Sequence, residues 1–143
     1  EHFGTRTGAT PDGRCRGFPF ADGSGPAQGR ETGGPTAAIL SVTSWDASPL
    51  IGGSAFNMKF PKSLFDTPES VAKIQELILT FLRRGGAETQ INVVDQAVLL
   101  EARRHPENYA DLVVRIGGYT DYFTRLNPEM QDEVIARTGY TEL

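Results

Sequence analysis

Leu112-Val113-Val114-Arg115-Ile116-Gly117-Gly118-Tyr119-Thr120-Asp121-Tyr122-Phe123 changes character halfway along. Leu112 to Ile116 is short, apolar and rich in β-branched residues, which reads as a buried strand. It runs directly into Gly117-Gly118, and Tyr119, Tyr122 and Phe123 set aromatic rings just beyond. A glycine pair in that position has a plain structural reading as a turn, because glycine enters the left-handed region without a Cβ clash.

Working upstream, Asp95 can cap a helix carrying Val98, Leu99 and Ala102 on one side, ended by His105-Pro106. Gln90 to Val94 reads as another short buried strand. Gln90 and Asn92 alternate on it and so share a side, where buried amides need partners; the glycine loop is a candidate partner. Thr67, Pro68 and Glu69 open a helix with Val71, Ile74, Leu77, Ile78, Phe81 and Leu82 at helical spacing, closed by Arg83, Arg84 and Gly85-Gly86. Ala55 to Phe60 reads as a strand after a turn at Gly52-Gly53. Thr36 to Trp45 is mostly apolar and is expected to be a strand buried on both faces, with Trp45 in the core. Residues 1–35 hold most of the Gly and Pro; Phe3, Phe18 and Phe20 among the turns predict an ordered, packed loop rather than a linker. Downstream, Asn127 and Pro128 open a last helix through Met130, Val134 and Ile135. Strands alternating with helices predict an α/β fold.

Composition narrows the function classes. A net charge of −4 offers no basic footprint for nucleic acid. No apolar run approaches the roughly 20 residues that span a bilayer, so no membrane partner is expected. Cys15 is the only cysteine, which excludes an intrachain disulfide and suits a reducing compartment. One cysteine with His2 and His105 far apart gives no metal-ligand spacing, so no metal site is expected. Arg115 can neutralise an anionic partner or pair with a carboxylate, and pairing is the favoured role. The chain opens on Glu1 and a Gly-rich stretch, which reads as a piece of a longer protein.

Glycine at a strand end has a second chemical reading. If a hydrogen atom leaves Cα, the carbon becomes planar. The adjoining amide nitrogen donates electron density and the adjoining carbonyl withdraws it, and a Cβ would crowd the planar centre. Arg115 to Phe123 resembles the Arg-Val-(Ser/Ala)-Gly-Tyr-(Ser/Ala)-x-x-Phe signature of glycyl radical enzymes, with Gly117 in the Ser/Ala place. Other segments are similar to that family in its order. They are Gly8 to Arg14 (GATPDGR), Gly29-Arg30 with Gly34 to Ala37 (GPTA), Asn57 to Phe60 (NMKF), Gln90 to Val94 (QINVV), His105 to Tyr109 (HPENY) and Gln131 to Thr138 (QDEVIART).

The resemblance implies the C-terminal part of a ten-stranded α/β barrel, spanning residues 1–143 with the radical loop at about 113–124. It implies a radical stored on Gly118, supported by Arg115, Gly117, Tyr119, Gln90 and Asn92. The radical would pass to a cysteine in an N-terminal part outside this chain, and from there to a small-molecule substrate. Cys15 does not fit that cysteine and reads as structural. The implied enzyme is pyruvate formate-lyase-like, in the lyase or dehydratase branch, with this portion inactive alone. The alternatives are a free-standing glycyl radical replacement subunit and a fragment of a fumarate-adding alkyl- or arylsuccinate synthase. No bound cofactor is implied; the radical is installed by a radical S-adenosylmethionine iron–sulfur activase. The expected setting is a homodimer in the cytoplasm of an anaerobic bacterium or archaeon.

Overall fold

The computed structural model describes residues 2–27, 29–116, 118–136 and 139–140. Gly117, Arg137 and Thr138, all singled out above, lie outside the described residues. The elements are α1 (His2–Thr5), α2 (Gly34–Val42), β1 (Ala55–Phe60), α3 (Pro68–Arg83), β2 (Glu88–Val93), α4 (Gln96–Arg104), β3 (Val113–Arg115), β4 (Thr120–Tyr122) and α5 (Pro128–Ala136). Helices and strands mix as the α/β reading requires.

The centre is a β1–α3–β2 unit. β1 and β2 pair in parallel from Ala55↔Glu88 to Phe60↔Val93, and a parallel pair needs a crossover of the kind α3 supplies. The ends of α3 follow from its sequence. Thr67 Oγ1 accepts a hydrogen bond from Ser70 N at 3.2 Å, with Pro68 in the first turn. At the other end Gly85, at φ +93°, turns the chain. Gly86 N then donates to Phe81 O and Gly85 N to Leu82 O, the paired bonds of a Schellman cap. Ile74 and Phe81 are buried, and Phe81 packs 5.7 Å from the ring of Phe56 on β1.

The segment expected to be a strand over Thr36 to Trp45 is instead helix α2. Pro35 sits in its first turn, Ala37 and Ala38 are strong helix formers, and Ala38, Ile39 and Val42 fall on one helical face against β1 and α3. A short apolar run does not separate a buried helix from a buried strand, and here the proline and alanines decide it. Trp45 lies past the end of α2 and is half exposed, so it is not core. Phe3 is largely exposed, and Phe18 and Phe20 are about half exposed.

The run through Leu112 to Ile116 is shorter and less buried than expected. β3 has three residues and pairs antiparallel with β4, an element the sequence did not reveal, in a separate two-stranded sheet. Two apolar clusters result. One joins α2, β1, Phe81 and Tyr140; the other joins Leu99, Ala102, Val114, Ile116, Phe123 and Val134.

Candidate functional site

The β3–β4 hairpin presents the glycine loop. Val113↔Tyr122, Val114↔Asp121 and Arg115↔Thr120 are opposite pairs, and Ile116 N donates to Tyr119 O at 2.9 Å beyond them. Gly118 therefore stands at the hairpin tip, exposed, at φ +79°. A side chain strains at that angle, although a Cβ there would meet nothing within 4 Å. Beneath the tip, Val114, Ile116 and Phe123 are buried in the second cluster and anchor the hairpin to α4 and α5. Asn127 helps fix α5, its Oδ1 accepting from Met130 N at 2.8 Å.

A polar seam joins the hairpin to β2. Arg115 Nε donates to Gln90 Oε1 at 3.0 Å, and Arg115 Nη1 donates to Thr120 Oγ1 at 3.3 Å. Asn92 Oδ1 accepts from Arg115 N at 3.0 Å, and Asn92 Nδ2 donates to Arg115 O at 3.3 Å. Gln90 Nε2 donates to Glu88 Oε1 at 2.7 Å, which leaves the Gln90 oxygen aimed at Arg115. Gln90 and Asn92 thus both bond to Arg115, on the strand that enters the glycine loop. Among its bonds, the Arg115 side chain takes the amide oxygen of Gln90 and the hydroxyl of Thr120.

An open cleft of about 350 Å³ runs beside the tip, lined by Gly118, Arg115, Gln90, Asn57, Asp22 and the loop through Gly52-Gly53. Asp22 and Asn57 line this cleft, and sequence reasoning did not single them out as candidate site residues. Asn57 stands opposite Gln90 in the β1–β2 register, and its Nδ2 donates to Asp22 Oδ2 at 2.5 Å. The signal for Asn57 was its place in the NMKF strand; Asp22 comes from a loop 35 residues away and left no local signal. Tyr119, beside the tip, is exposed. Cys15 is exposed and lies in the 10–30 loop region, where Arg14 donates to the carbonyls of Gly8, Cys15 and Phe18 and stacks on Phe20.

A family described as Glycine radical matches residues 20–124. A probable dehydratase of Escherichia coli K12 is 42% identical over 139 residues, covering 96% of this chain and 17% of the relative. The structure of the glycerol-bound, B12-independent glycerol dehydratase of Clostridium butyricum superposes with a TM-score of 0.91 at 40% identity, covering 99% of this chain and 18% of that one. A structure described for 1,2-propanediol dehydration in Roseburia inulinivorans gives 0.90 at 41% identity, covering 96% and 17%. The chain thus spans under a fifth of the length of these relatives.

Proposed function

Because this chain belongs to the glycine radical family, we propose that Gly118 is the residue that stores the radical and that the chain is the radical-bearing part of a longer dehydratase or related lyase. The observation that carries this reading is the setting of Gly118. It is a glycine at the exposed tip of a short hairpin, at φ +79°, with open space where a Cβ would stand. Its Cα carries two hydrogens and no side chain, and nothing in this segment lies within 4 Å of where a Cβ would stand. Loss of one of those hydrogens leaves a planar centre flanked by a donating amide and a withdrawing carbonyl.

The apolar anchor under the hairpin holds the loop, and Arg115, Gln90 and Asn92 hold its entry strand. In this reading a radical S-adenosylmethionine activase removes a hydrogen atom from Gly118 Cα. The stored radical then takes a hydrogen atom from a cysteine thiol in the remainder of the enzyme, so that a C–H bond forms as the S–H bond breaks. The thiyl radical in turn abstracts hydrogen from a small substrate bound beside it. The dehydratases among the relatives support elimination of water from a hydroxylated substrate as the net reaction. Among the described residues no helix is long and apolar enough to cross a membrane.

The test is anaerobic activation of the full-length enzyme with its activase, S-adenosylmethionine and a reductant. The one remaining Cα hydrogen is expected to split the electron paramagnetic resonance signal into a doublet. Gly118→Ala abolishes the signal and Gly117→Ala retains it, and air then cuts the activated chain at Gly118. A doublet that survives Gly118→Ala would move the radical to another residue; no doublet with a competent activase would overturn the reading.

A further inference from the structure

Gly118 is carried on a hairpin that shares no ladder hydrogen bonds with the parallel pair beside it: β1–β2 and β3–β4 are separate sheets. In an antiparallel pair, opposite residues alternate between those that exchange main-chain hydrogen bonds and those whose N–H and C=O point outward. The Ile116 N to Tyr119 O bond fixes the phase. It makes Val114↔Asp121 a bonded pair and Arg115↔Thr120 a pair whose main-chain groups face away from β4. The outward N–H and C=O of Arg115 need partners, and one side chain supplies both. Asn92 Oδ1 accepts the N–H at 3.0 Å and Asn92 Nδ2 donates to the C=O at 3.3 Å. The two backbone groups allow the carboxamide only one orientation. The side chain of Asn92 does the work of an absent ladder between β2 and β3, three residues before the hairpin tip.

We propose that Asn92 is a positioning residue for radical transfer: its two-point bond to the Arg115 main chain sets where Gly118 stands relative to the group that exchanges hydrogen with it. The inference rests on the reading of Gly118 as the radical site and assigns a separate job within it. Arg115 and Gln90 bond through side chains, which tolerate movement; Asn92 grips the backbone itself. Hydrogen transfer between fixed atoms is steeply sensitive to position, and a misplacement of about 1 Å costs on the order of 10²-fold in rate. Installation of the radical by an external enzyme does not use that internal distance, so the two steps separate.

The experiment compares full-length wild type, Asn92→Ala and Asn92→Asp after anaerobic activation. The alanine variant loses both bonds. The aspartate keeps the acceptor for Arg115 N–H but sets a second oxygen against Arg115 C=O. Four quantities are read: spins per chain, the rate at which the doublet collapses in deuterated water, kcat per spin, and KM. Exchange in deuterated water needs the thiol relay, because deuterium reaches Cα only from an exchanged S–D. Asn92→Ala is expected to keep spins per chain within about twofold while exchange and kcat per spin fall together by on the order of 10²-fold, with KM nearly unchanged. Asn92→Asp falls between it and wild type, and carries the test if the alanine variant does not fold. Exchange and kcat per spin at wild-type values in both variants would overturn the proposal. So would a loss confined to spins per chain, which would make Asn92 a residue of stability or activation only. A wild type without any doublet would instead overturn the underlying reading, and this inference with it.

Discussion

A sulfur that relays a radical must be held at a fixed distance from the glycine; Cys15 lies in an exposed loop segment. Its thiol is exposed, and the hydrogen bonds at this residue run through its main chain, to Arg14 Nη1 and Phe18 N. Serine preserves the size and leaves those carbonyl bonds intact. Cys15→Ser in the full-length enzyme is therefore expected to hold turnover per radical within about twofold, the range of a surface change away from special features. Turnover lost at normal radical yield would make Cys15 part of the relay. The contrast with the seam residues explains what single residues disclosed. Gln90 and Asn92 announced themselves because polar side chains at period two on an otherwise apolar strand require partners on one side, and both meet Arg115. Asp22 announced nothing, because its bond to Asn57 depends on how a loop of 30-odd residues folds back.

Elements with end signals were legible and elements without them were not. α3 carries a capping threonine, a first-turn proline and a closing glycine pair, and its bounds match those signals. α2 has only Pro35 and two alanines to mark it against a strand-like apolar run. β4 is three residues long, too short for alternation to register. The end of the chain shows how a tertiary contact creates a property no local pattern holds. Tyr140 N donates to Lys59 O at 2.9 Å, and the ring of Tyr140 lies 5.5 Å from that of Phe60. Burial first, and the Glu31 carboxylate second, hold the Tyr140 phenol well above its ordinary value of 10.0. The folded-state value is raised, so its stabilising effect is complete below the unfolded value. It is lost as pH rises past about 10, where the unfolded chain ionises first. Tyr140→Phe removes that linkage. Thermal unfolding of the full-length enzyme, followed from about pH 8 upward, is expected to fall less steeply above about pH 10 in Tyr140→Phe than in the parent. Parallel curves would show that Tyr140 is not preferentially protonated in the folded state.

At the scale of the whole molecule, the two apolar clusters do not use up the apolar surface the chain presents. Ile51 is fully exposed and Phe3 is 82% exposed, with Phe18, Phe20, Trp45 and Leu50 close to half. The parallel pair β1–β2 stands as a two-stranded sheet, whereas parallel sheets are ordinarily buried on both faces and extended at both edges. An open strand edge beside exposed aromatic and aliphatic side chains is a template for pairing with another copy. In the relatives, the matching segment makes up under a fifth of the chain, and there the rest of the barrel is available to cover such edges. The isolated 143-residue chain is therefore expected to self-associate. Light scattering should show an apparent mass that climbs with concentration, and co-expression with the remaining part of the enzyme should return it to one defined species. Charged substitutions at Ile51 and Trp45 should reduce the association of the isolated chain without restoring cooperative unfolding, because they remove the sticky surface and not the missing strands. A monodisperse monomer that unfolds cooperatively on its own would mean that the two clusters suffice as a core, and would favour a self-standing subunit over a segment of a barrel.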